Sequence, residues 1–221
     1  MKSYIEKHRS HSREVVTRAL ARQVGIEMAD LKSPETMPQL INATSFLKKL
    51  DLATVRVRAG REVFFGFDLE RGANCFSLTE RQIGTGSSVD HYYDHHISLH
   101  THPFTDDELG PSDRDQLIGL IPYPYSLDLA SMITSNEIGM MVLAHSTGDN
   151  YCYLMVVIKT IGYKNHYTEE IFRAEPRPSK SPARITFKDY DRYYSRFGFV
   201  TYRGYFLAGQ DEPILLRKSL R

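Results

Sequence analysis

The stretch Ile97-Ser98-Leu99-His100-Thr101-His102-Pro103, followed at short range by Pro111-Ser112-Asp113-Arg114-Asp115, constrains the fold more than any other part of the chain. Side chains alternate faces along an extended segment, so His100 and His102 point the same way, and Pro103 ends the strand. Ser112 has the chemistry of a helix N-cap, with Asp115 in the first turn of a helix running through Gln116, Leu117, Ile118 and Leu120. A strand end and a helix start therefore come together, offering two neutral nitrogens and one carboxylate oxygen. Three such ligands leave a fourth position for water, which distinguishes a catalytic zinc site from a closed structural one. The plainer alternative is a capping pair, Asp115 reaching back to the Ser112 amide, beside two surface histidines. The conjunction of both motifs in one short stretch favours the metal site.

With 221 residues, the chain has room for one domain with extensions and for a real core. A net charge of +1 gives no global pull toward nucleic acid or an acidic membrane. No apolar run reaches membrane-spanning length, and the first residues lack the apolar core of a signal peptide, so the expected setting is cytoplasmic. Cys75 and Cys152 are isolated, which indicates neither a thiolate zinc site nor a disulfide framework. A metal here would be held by His and carboxylate, which suits Zn2+.

In chain order, residues 2–24 read as an amphipathic helix stopped by Gly25, with a basic outer face that is solvated by default and could dock a partner or nucleic acid. Residues 40–50 read as a second helix, and the main domain is expected to start near Asp51. Thr54 to Arg58 and Arg61 to Asp68 read as a hairpin around Ala59-Gly60, and Ala73 to Leu78 as a further strand. His91 and His95 read as surface or cleft histidines. Residues 138–144 and 151–158 are apolar strands joined by the turn residues Ser146 to Asn150, giving a mixed α/β domain over 51–165. Proline and basic residues after 165 read as a linker. The aromatic segment from Tyr190 to Phe206 reads as core packing more readily than as a nucleic-acid stacking surface.

An amide hydrolase with a metal also needs a carboxylate to take a proton from water and return it to the leaving amine. Glu62, Glu70 and Glu80 are the candidates upstream. Glu62 is preferred because it opens the apolar strand Val63-Phe64-Phe65, where a charge would sit at the sheet edge. Glu70 falls in the stretch from Asp68 to Gly72, which reads as a solvated turn, and Glu80 beside Arg81 reads as a surface pair.

Glu62, then His100-Thr101-His102-Pro103, then Ser112-x-x-Asp115 resembles the signature of the JAMM (MPN-plus, JAB1/MPN/Mov34) zinc metalloproteases. That family includes deubiquitinating isopeptidases, archaeal and bacterial hydrolases of ubiquitin-like tails, and the bacterial RadC proteins. Glu62-Val63-Phe64-Phe65-Gly66 is also similar to the family's Glu-strand with its nearby glycine. The resemblance covers about residues 51–164. It implies a cytidine-deaminase-like JAB/MPN domain, a mixed sheet flanked by helices, with Zn2+ held by His100, His102 and Asp115. It further implies Glu62 as general acid/base, the Ser112 hydroxyl as oxyanion donor, and a protein or peptide substrate such as a ubiquitin-like tail. Nine residues, Pro103 to Pro111, separate His102 from Ser112, two more than the family usually places there. A surface loop absorbs such a difference. A hairpin stands where the family has a helix before its Glu-strand.

Two other classes share part of this pattern. Ser98-Leu99-His100-Thr101-His102 also resembles the first-strand metal motif of PHP-type phosphoesterases, but too little chain follows His102 to complete such a barrel. A RadC-like or scaffold JAB-domain protein, binding DNA or a protein partner without peptidase activity, is the non-enzymatic alternative.

Overall fold

A computed structural model of the protein describes residues 11–50, 62–70, 72, 74–84, 95–102, 132, 137–145, 151–163 and 187–219. Its centre is an eight-stranded mixed sheet. The strands are β1 (Leu40–Asn42), β2 (Val63–Leu69), β3 (Phe76–Ile83), β4 (Ile97–His102), β5 (Gly139–His145), β6 (Tyr151–Lys159), β7 (Phe199–Leu207) and β8 (Leu215–Lys218), in the order β1-β8-β7-β6-β5-β4-β2-β3. All neighbours are antiparallel except β4 and β5, which run parallel. A parallel pair requires a crossover from one end of the sheet to the other. The sequence between β4 and β5 contains Ser112 and Asp115, which lie outside the described residues.

Both faces of the sheet are packed. Val63, Phe65, Phe67 and Leu69 alternate onto one face, where they join Leu99, Met141, Leu154 and the buried side of helix α1 (Arg13–Val24) in a single apolar cluster. On the other face Met140, Val142, Met155 and Val157 pack with Tyr193, Tyr194, Phe197 and Phe199 around helix α3 (Phe187–Ser195). The burial of β2 on both faces explains why its sequence reads as a near-continuous apolar run. The aromatic tail is thus core: Tyr194, Phe199 and Tyr202 are fully buried, while Tyr205 is exposed.

The expected α/β class holds, as do the two apolar strands, observed as β5 and β6. Helix α1 has Ser12 as N-cap, whose Oγ accepts from the Val15 amide at 3.4 Å, and Gly25 closes it in the left-handed region at φ 75°. Residues 2–10 of the expected helix lie outside the described residues.

Residues 40–50 depart from expectation. Leu40–Asn42 is a strand paired with β8, and only Thr44–Leu47, helix α2, is helical. Leu40 is exposed and Ile41 buried, the period of two that an edge strand adopts when a partner arrives from the far end of the chain. The first arm of the hairpin expected around Ala59-Gly60 lies outside the described residues. The second arm is β2, whose hairpin partner is β3. β3 starts later than the strand expected at Ala73 to Leu78, after a turn with Gly72 at φ 81°, and runs on to Ile83. Cys75 is exposed and Cys152 buried. Among the described residues no helix is long and apolar enough to cross a membrane.

Candidate active site

β2 lies antiparallel against β4, with Phe64 opposite His100, Phe65 opposite Leu99 and Gly66 opposite Ser98. Continued by two more pairs, the same register sets the backbone of Glu62 beside that of residue 102. Two hydrogen bonds hold this end of β2. The Val63 amide donates to Thr101 Oγ1 at 2.8 Å, and the Gly84 amide donates to the Glu62 carbonyl at 2.8 Å. Glu62 itself is half-buried and His100 is buried. His100 stands near the carboxyl end of β4, next to the parallel strand β5, the end at which α/β sheets gather their ligands.

Ser112, Asp115 and the side chain of residue 102 lie outside the described residues, as does His91. Glu62 and His100 are therefore the two predicted site residues whose surroundings are described, and they belong to neighbouring strands. Among the described residues no group of three or more His, Cys, Asp or Glu side chains is arranged to hold a metal ion.

A second polar constellation, one that no short sequence motif marks, lies on the same face of β2. The register shifts between Gly66 and Phe67, a bulge that leaves Thr79 without a cross-strand partner. A bulge re-aims side chains, and here Thr79 and Glu80 both turn toward the segment that leads into β4. Asp68 Oδ2 accepts from Thr79 Oγ1 at 2.6 Å and lies 2.8 Å from His95 Nδ1. Asp68 Oδ1 accepts from the His96 amide at 3.1 Å and lies 3.0 Å from His96 Nδ1. On the other side of the ring, His95 Nε2 lies 2.6 Å from Glu80 Oε2. The side chains of His95, Asp68 and Glu80 are 4%, 5% and 8% exposed.

These positions correct two expectations. His95, read as a surface or cleft histidine, is buried, and Glu80 pairs with His95 rather than forming a surface pair with Arg81. Arg81 instead places its guanidinium over the Phe65 ring at 6.0 Å. Asp68 lies in strand β2, as the reading of Arg61 to Asp68 expects. Glu70 is exposed, as a solvated position should be. Gly66 was the available signal, because a glycine inside an apolar strand marks a bulge or a close approach. Here a Cβ would collide with the His95 ring.

The electrostatics follow from the contacts. Burial alone would raise the Asp68 pKa, but the hydrogen bonds from His95, His96 and Thr79 outweigh it and hold the carboxyl far below its usual range. Burial likewise opposes charge on His95, yet its bonds to Asp68 and Glu80 win and raise its pKa. Further along the same face Ser98 Oγ donates to buried Glu137. Lys159, also buried, is pushed down to about 8 by desolvation, against the pull of Glu137, and lies 4.9 Å above the Tyr163 ring.

Comparison of the chain with protein-family models, with curated proteins and with solved structures gives no match.

Proposed function

We propose that the chain is a zinc-dependent metallopeptidase of the JAMM type, on a JAB/MPN-like domain, hydrolysing an amide bond in a protein or peptide substrate. The observation that carries this reading is the β2–β4 register, with Phe64 opposite His100, which sets the strand opened by Glu62 alongside the His-x-His strand. The crossover topology adds support, because the connection that bears Ser112 and Asp115 leaves from the carboxyl end of β4.

The donor chemistry fits zinc. Two imidazoles and one carboxylate, His100, His102 and Asp115, would hold the ion and leave a position open. Bound zinc supplies Lewis acidity and lowers the pKa of a water to near neutrality. Glu62 then takes a proton at its carboxylate and returns it to the leaving amine nitrogen. The Ser112 hydroxyl donates a hydrogen bond where negative charge develops on the carbonyl oxygen.

The test is cleavage of a panel of ubiquitin-like fusion proteins, with and without chelator. Wild type should lose activity to chelator, and Glu62→Gln should keep its metal while hydrolysis drops by roughly 100- to 10,000-fold. Full activity of Glu62→Gln beside a dead Glu70→Gln or Glu80→Gln would overturn the role given to Glu62.

A further inference from the structure

We propose that the His95 ring, held as an imidazolium between Asp68 and Glu80, is a proton-operated latch that fastens edge strand β3 to the start of β4 and releases it as pH rises. This inference goes beyond the hydrolase reading and does not depend on it.

Between two carboxylates the geometry calls for the charge. A neutral imidazole carries one N–H, so it can donate to only one acceptor. Here Nδ1 faces Asp68 at 2.8 Å and Nε2 faces Glu80 at 2.6 Å, so with both carboxylates ionised both nitrogens must carry protons for both contacts to be hydrogen bonds. All three side chains are buried, where an unsatisfied polar group costs most. The seat is shaped for the ring, since Gly66 leaves the space it fills and Phe64 flanks it at 5.7 Å.

The ring also links elements that the sheet does not. β3 pairs with β2, and β2 with β4, so β3 and β4 are not hydrogen-bonded to each other. His95 lies two positions before β4 and reaches across β2 to Glu80 on β3. Among the described residues, the charged or titratable groups around it are Asp68 from β2, Glu80 from β3, and His96 on its own segment, with the Thr79 hydroxyl 3.4 Å away. His11, ahead of α1, meets the His96 ring edge-on at 6.0 Å. Loss of the proton would leave a nitrogen lone pair facing a buried carboxylate.

The test is NMR of the full chain from pH 5.5 to 10, following the His95 ring nitrogens together with amide exchange in β3. Both ring N–H groups should persist above the ordinary imidazole value near 6.5. Protection of β3, corrected for intrinsic base catalysis, should fall over the same interval in which the ring loses its proton. Glu80→Gln should lower the pH of that loss by at least one unit, a tenfold change in proton affinity. A wild-type ring titrating near its ordinary 6.5, or β3 protection unchanged through the ring's titration, would overturn the proposal. The wild-type series decides even if Glu80→Gln fails to fold.

Discussion

Phe64 on β2 and His100 on β4 are directly opposite one another across an antiparallel pair, and the next residue on each strand toward the site is tied by the Val63 amide bonding to Thr101 Oγ1 at 2.8 Å. Thr101 is therefore a spacer between the strand that Glu62 opens and the strand that carries the histidines. Thr101→Val keeps the shape and removes the acceptor, leaving a buried amide unsatisfied. It should destabilise the protein by about 1–3 kcal/mol in urea unfolding, and Thr101→Ser should recover most of that loss.

Gly66 is needed for the room it leaves, not for an unusual backbone angle. Gly66→Ala drives a methyl group into the His95 ring, which is fixed by carboxylates on both sides. The loss should be at least the roughly 1–3 kcal/mol of an overpacked core. Pairing it with His95→Ala should relieve the clash, so a double-mutant cycle should give a combined effect smaller than the sum of the single ones.

The pH dependence has a sign at each end. Asp68 has a depressed folded-state pKa, so its contribution is present above the unfolded value near 4 and is lost as pH falls below it. His95 has a raised one, so its contribution is complete below about 6.5 and is lost as pH rises through the folded-state value. Urea midpoints should be highest between these limits. Asp68→Asn should flatten the acid side of the profile.

The sequence revealed most where local chemistry and tertiary environment agree. β5 and β6 are apolar runs around strong turn residues, and both are buried as expected. Helix α1 carries its own stop in Gly25. The segment from Leu40 to Leu50 was misleading because its apolar spacing suits a helix, whereas β1 is fixed by β8, a partner supplied from the opposite end of the chain. The contact between Asp68 and His95 was invisible for a related reason. The two residues are 27 positions apart and the bulge that aligns Thr79 and Glu80 with them leaves no short motif, only Gly66 inside a strand. The His-x-His pair was legible because its two members lie on one strand. The pairing of Glu62 with that strand was a choice among three carboxylates, and the β2–β4 register is what now favours it.

Elemental analysis of the purified full chain, set beside His100→Ala and Asp115→Ala, tests the central claim most directly. The wild-type protein should hold about one equivalent of zinc and both variants should lose it, each still folded by circular dichroism. Wild-type protein that is folded yet takes up no zinc when the ion is supplied, or an Asp115→Ala variant that keeps its full equivalent, would contradict that claim.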